Sequence, residues 1–263
     1  PQTQPMAFGP YMPLEKVYSY NPTAELDSEK ASYIYGIQGN LWTEYIPTEE
    51  LVEYMIYPRL LAIAEIGWSN PQERNYPNFK ERAIKAVEKL RNKGYNAFDL
   101  AKEYGQRKEA CAPVEHLAAG CAVTYAQAAP FNEKYNAGGE MALTDGIRGG
   151  WTYTDKRWQG FIRGGVDVTI DLGNEKELTS IAADFMQMCI PDVWLPAKVT
   201  ISLSSDGETF REIANIEHNV VRDEGLSFKN YGWEGKEKGR YVRYRAECGP
   251  QRGWLFTDEI VVK

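Results

Sequence analysis

Val166-Asp167-Val168-Thr169-Ile170-Asp171-Leu172 places an aliphatic residue at every second position and a polar one between each pair. A period of two gives an extended chain one face for a core and one for water, whereas a helix would scatter the same residues around its circumference. Working outward, alternating stretches recur over residues 180–187, 198–204, 210–216, 241–248 and 255–262. Turn formers such as Ser205-Asp206-Gly207 and Pro250-Gln251-Arg252-Gly253 lie between them, and such residues favour chain reversal. Many short strands with regular turn punctuation predict a β-sandwich or jelly roll.

Upstream the rhythm changes. Residues 32–41 are β-branched and aromatic with glycine punctuation, which predicts a short buried strand running into a loop. Thr48 is placed to N-cap a helix, with Glu49 and Glu50 in its first turn where the helix dipole favours acids. Leu51, Tyr54, Met55, Leu60, Leu61 and Ala64 continue at helical spacing, and Pro58 should kink the backbone. A second helix is expected over residues 78–93, with Phe79, Ala83, Ala86, Val87 and Leu90 as its apolar stripe. Residues 101–114 are polar and aperiodic, so the sequence divides into a first domain over 1–105, a linker over 106–113 and the sandwich over 114–263.

Composition excludes several partners. A net charge of −7 over 263 residues leaves no basic surface for nucleic acid. No apolar run approaches the roughly 18 to 20 residues that span a bilayer, so no transmembrane segment is expected. The first residues, Pro1-Gln2-Thr3-Gln4-Pro5, carry no signal-peptide pattern and read as a mature or truncated start. Cys111, Cys121, Cys189 and Cys248 show no C-x-x-C spacing, which argues against a structural zinc. Two disulfides and four thiols both remain open.

Gly36-Ile37-Gln38-Gly39-Asn40-Leu41-Trp42-Thr43-Glu44 is the segment richest in chemistry. On an extended chain, Trp42 and Glu44 point to the same side. An indole covers the apolar face of a pyranose, and a carboxylate beside it accepts hydrogen bonds from two sugar hydroxyls. Spacing alone fits a packed tryptophan and a solvated glutamate as well. Arg59 and Glu65, six residues apart, read as structural ion pairs or caps, because helical pairing needs three or four. His116 and His218 have no partner spacing that suggests a triad or a metal.

The stretch from residue 36 through residue 68, including Tyr54-Met55-Ile56-Tyr57-Pro58-Arg59-Leu60-Leu61-Ala62-Ile63-Ala64-Glu65, resembles the last strand and helix of the catalytic barrel in glycoside hydrolase family 20. Pro13-Leu14-Glu15-Lys16-Val17-Tyr18-Ser19-Tyr20 resembles the segment before it in bacterial members. The resemblance implies an α/β piece of a (β/α)₈ TIM barrel from a β-N-acetylhexosaminidase. It also implies that Trp42 walls the pocket for a terminal N-acetylhexosamine and that Glu44 binds its hydroxyls. In that family a Glu protonates the glycosidic oxygen while an adjacent Asp orients the substrate's acetamide, which itself attacks the anomeric carbon. The Asp-Glu pair follows a His-x-Gly-x-Asp-Glu type motif. No such motif occurs here, and the only Asp-Glu dipeptides are Asp223-Glu224 and Asp258-Glu259. A complete barrel takes about 250 residues, so the first 105 supply only part of one. The expectation is no catalytic residue in this chain, no cofactor for catalysis, and inactivity without the rest of the barrel. The parent is expected to be exported, because its substrates are extracellular glycans.

Residues 112–263 resemble discoidin-like, galactose-binding-like sandwiches of the F5/8 type C class. The resemblance is carried by Leu117-Ala118-Ala119-Gly120, Ala142-Leu143-Thr144-Asp145-Gly146, Trp158-Gln159-Gly160-Phe161, Ser204-Ser205-Asp206-Gly207-Glu208-Thr209-Phe210 and Trp254-Leu255-Phe256-Thr257-Asp258-Glu259-Ile260. It implies a structural calcium site at Asp145 and Glu259, set against the plainer reading of an Asp-Gly turn and an ion-paired glutamate. Trp151 and Tyr153, among Arg148, Arg157 and Arg163, suit either a sugar platform or closure of the sandwich end. Trp158, Trp194 and Trp254 read as core. The competing function is a non-catalytic carbohydrate- or partner-binding module.

Overall fold

The computed structural model describes residues 12–43, 46–103, 107–127, 131–222 and 225–263. The chain divides into two compact units, with the change between residues 105 and 106. It contains no helix long and apolar enough to cross a membrane among the described residues.

The first unit is helical: α1 (Leu14–Tyr18), α2 (Ser28–Ala31), α3 (Glu49–Ile56), α4 (Arg59–Trp68) and α5 (Tyr76–Asn92). Thr48 Oγ1 accepts from the Leu51 amide at 3.3 Å and starts α3 as its sequence predicts. Asn75 caps α5, with Pro77 in the first turn where its missing N–H costs nothing. Leu14, Tyr18, Ala62, Phe79, Ala83, Val87, Ala97 and Leu100 form the core, and the Tyr18 ring stacks on Phe79 at 4.6 Å between centroids. Arg59 donates to the carbonyls of Met12 at 3.1 Å and Met55 at 3.2 Å, while Glu65 pairs with Arg82. Both side chains are structural.

Two local expectations are corrected. Pro58 separates α3 from α4 outright, without kinking one helix, and Tyr57 between them is extended. Residues 32–41 form no strand. Residues 34–43 run without a ladder partner, and a lone strand cannot satisfy its amides and carbonyls except in water. Gly39 lies so close to α4 that a β-carbon there would collide with Ile63, so the segment rests on that helix.

The second unit is a β-sandwich with strands β1 (Val123–Tyr125), β2 (Gln159–Ile162), β3 (Val166–Met188), β4 (Lys198–Ser204), β5 (Arg211–Glu217), β6 (Leu226–Glu247) and β7 (Trp254–Val262). All ladders are antiparallel. Strands β3 and β6 run alongside each other through both layers, and their register shifts between Asp171/Lys176 and Leu178/Ser180. Before the shift β3 pairs with β1 and with the end of β6, which continues to β4 and β5. After it, β3 lies between β7 and the start of β6, and β2 flanks β7. Val168, Ile170, Val199, Ile201, Val242 and Tyr244 from the first layer meet Ile181, Phe185, Tyr231, Leu255, Ile260 and Val262 from the second. The ends of the unit meet: the Leu117 amide donates to the Val262 carbonyl at 2.7 Å, and the Lys263 amide to the Ser180 carbonyl at 2.8 Å.

A second apolar cluster covers the outside of the β7 layer. Met186 and Phe256 project from the sheet into a group with Trp158 and Val193, joined by half-buried Tyr135, Tyr153, Phe228 and Trp254. The cover comes from residues 131–158, so this sheet is buried on both faces. Residues 107–113, a linker by sequence, are tied into the unit: Arg107 is 4% exposed, and the Ala110 carbonyl accepts from Arg157 at 3.3 Å. All four cysteines are free.

Candidate functional site

In the first unit the candidate site is the segment carrying Trp42. The indole is 76% exposed in this chain. Gln38 donates to Asn40 at 2.5 Å along the same segment. Glu44 lies outside the described residues.

In the second unit, Asp145 and Glu259 come together although 114 residues of chain separate them. Asp145 closes an Asp-Gly turn by accepting from the Ile147 amide at 2.7 Å. Glu259 is fully buried on β7, and its Oε1 lies 2.8 Å from His116 Nε2. Because His116 Nδ1 accepts from the Val262 amide at 3.3 Å, the ring proton sits on Nε2 and points at the carboxylate. The other oxygen, Oε2, is buried without a hydrogen-bond partner. Burial pushes the Glu259 carboxyl up to about 7, hydrogen bonding from His116 and from the Gly146 amide opposing it and the Asp145 charge adding to it. Burial likewise raises Asp145. An orphaned carboxylate oxygen beside a second carboxylate fits a hard cation. Among the described residues no three His, Cys, Asp or Glu side chains form a metal cluster.

Trp151 and Tyr153 belong to the aromatic cover. Trp151 meets Phe228 edge-on at 5.5 Å, and Tyr153 packs on Phe256 at 5.0 Å and on Tyr135 at 5.6 Å. Trp158 is wholly buried in the same layer, as its sequence predicts. Asp258, half of the one Asp-Glu dipeptide among the described residues, is fully buried and accepts from Arg107 at 2.9 Å and Arg148 at 3.0 Å. That pair is therefore structural, and Asp223-Glu224 lies outside the described residues. The sequence reading missed His116 and Arg107. Asp184 and Asp258, acids within otherwise apolar strands, were the available signal, since a buried acid requires a cation or donors.

Comparison with known proteins places the first unit. Residues 1–71 match the family model for glycosyl hydrolase family 20, catalytic domain. A β-hexosaminidase of Porphyromonas gingivalis is 43% identical over 97 residues, covering 36% of this chain and 12% of that protein. One of Akkermansia muciniphila is 35% identical over 69 residues, covering 26% of this chain and 14% of that protein. Among solved structures, CpGH89CBM32-6 produced by Clostridium perfringens is similar at 20% identity with a TM-score of 0.38, covering 57% of this chain and 98% of that one. The first unit is thus similar, over residues 1–71, to part of a glycoside hydrolase catalytic domain. The family that it resembles is glycoside hydrolase family 20, and the likeness is confined to residues 1–71. The chain spans about an eighth of the length of the first of these relatives.

Proposed function

We propose that this chain is a portion of a bacterial, exported β-N-acetylhexosaminidase that removes terminal N-acetylhexosamine from glycans by substrate-assisted hydrolysis. The segment carrying Trp42 supplies one wall of the sugar pocket, Glu44 binds hydroxyls on the far edge of the sugar, and the rest of the barrel supplies the acid. The observation that carries this reading is the family 20 match over residues 1–71, together with an exposed Trp42 inside it. The sandwich is read as a discoidin-like accessory domain.

The test is hydrolysis of a nitrophenyl N-acetyl-β-glucosaminide. The chain alone is expected to show no turnover, because no Asp-Glu pair stands in a catalytic motif. A protein extended upstream to a complete family 20 domain is expected to turn over, and Trp42→Ala in it to lower kcat/KM by about 10- to 100-fold. Turnover by the chain alone, or an extended protein indifferent to Trp42→Ala, refutes the reading.

The sandwich is further proposed to hold a structural calcium between Asp145 and Glu259, supported by the unpartnered buried Oε2. Removing calcium should lower the melting temperature of the wild-type chain, and Asp145→Asn should abolish that dependence.

A further inference from the structure

Arg107 stands at the entry to the second unit, and each nitrogen of its guanidinium has a polar partner. Nη1 donates to the Gly149 carbonyl at 2.7 Å and to Asp258 at 2.9 Å. Nη2 donates to Asp184, and Nε lies 3.4 Å from Glu109. The guanidinium plane lies over the Phe228 ring at 4.5 Å and the Trp158 ring at 5.1 Å. Each of these groups is fixed by something else. Asp184 and Asp258 stand on β3 and β7 and face outward, away from the sandwich core. Gly149 and Trp158 belong to the cover over residues 131–158, and a β-carbon on Gly149 would overlap the Trp158 ring. The Gly149 amide donates to Asp258 at 3.0 Å, and the Trp158 indole to the Gly150 carbonyl at 3.1 Å.

We propose that Arg107 is a latch that holds the cover loop carrying Trp151 and Tyr153 against the sheet, so that the entry segment sets the conformation of that loop. The sandwich core between the layers does not include Arg107. The cover, by contrast, reaches the sheet through its aromatic packing on Phe228 and Phe256 and through the acids that Arg107 neutralises, and Arg107 also holds the Gly149 carbonyl. Arg148 reaches the same two acids, at 3.0 Å to Asp258 and 2.6 Å to Asp184, but it is part of the cover and moves with it. Among the described residues, Arg107 is the side chain of the entry segment that pairs with both acids. A lysine cannot reproduce the latch, since an ammonium lacks the planar fork that meets two carboxylates and a carbonyl together. The inference stands whether or not the loop binds sugar.

Hydrogen exchange of the full chain, followed peptide by peptide, tests it. In Arg107→Ala, amides of residues 146–158 should exchange about tenfold faster or more, while β3 and β6 keep their protection. Arg107→Lys should show the same pattern more weakly. Glu109→Gln, which removes the most exposed partner, should leave exchange unchanged. Millimolar methylguanidinium, filling the slot between the acids and the rings, should restore protection in Arg107→Ala and do nothing to the wild type. Unchanged exchange over 146–158 overturns the proposal. So does an Arg107→Ala or Arg107→Lys chain that fails to fold or loses protection evenly across the strands, because Arg107 would then hold the sandwich itself.

Discussion

The two units handle large apolar side chains in opposite ways. In the sandwich they face each other across two layers, and even the outer face of one layer is covered. In the helical unit Tyr35 is 94% exposed, Trp68 92% and Trp42 76%, and the extended segment at 34–43 has no strand beside it. A strand written for a barrel gains its stability from neighbours on both sides. Among the described residues of the first unit that segment has no partner strand, whereas the second unit closes its own hydrogen-bond ladders.

The contrast can be broken or sharpened by measurement. The largest effect is expected from Phe185→Ala in the sandwich core, a loss of about 3 to 5 kcal/mol read by chemical denaturation. A small loss would mean that the layers are not packed as described.

Glu259 gives the next effect, and it depends on pH. Its carboxyl rises from the ordinary 4.5 to about 7 on folding. Between those values the unfolded chain ionises while the folded chain keeps its proton. The contribution of Glu259 to stability therefore falls as pH climbs from about 4.5 to about 7, and stays at its minimum above that. Glu259→Gln should flatten this decline by on the order of 3 kcal/mol, seen by comparing chelated samples at pH 5 and pH 8. Equal pH dependence in both proteins would show that Glu259 is not the titrating group.

Limited proteolysis compares the units directly. Cuts within residues 33–43 should appear well before any in β3 or β6, because exposed extended backbone fits a protease without unfolding. Equal resistance in a monomer would erase the contrast. Arg82→Ala, which breaks the ion pair with Glu65, should cost at most about 1 kcal/mol because the arginine is half in water. Smallest of all, Trp68→Ser should change the stability of this chain by less than about 0.5 kcal/mol. In a protein with a complete barrel the same change should cost several times more.

The strands were legible in sequence where one face meets the core and the other meets water, as in residues 166–172 and 198–204. Residues 226–234, the first part of β6, escaped notice because both faces are covered there: Tyr231 turns to the core and Phe228 to the outer cluster. The unity of β3 was hidden by the polar residues at its register shift. In the first unit the helices were legible from their caps and stripes, while residues 32–41 misled, since local propensity says nothing about whether a partner strand exists. At the site, Trp42 stood out through a motif in order. The bond from His116 to Glu259 joins residues 143 apart, a distance at which no spacing rule applies. Arg107 sat in a stretch whose polarity suggested a spacer.

The meeting of the sandwich's ends, where the Leu117 amide bonds the Val262 carbonyl, makes the unit a nearly closed loop of chain. Joining Lys263 to the entry segment through a short linker, and opening the chain at the exposed Ser205-Asp206-Gly207 turn, should give a circular permutant with the same sheets. A domain with adjacent ends also fits into a surface loop of a host protein without prying that loop apart. For a module of this topology, position along a polypeptide is a matter of splicing, and its fold imposes no requirement to stand at a terminus.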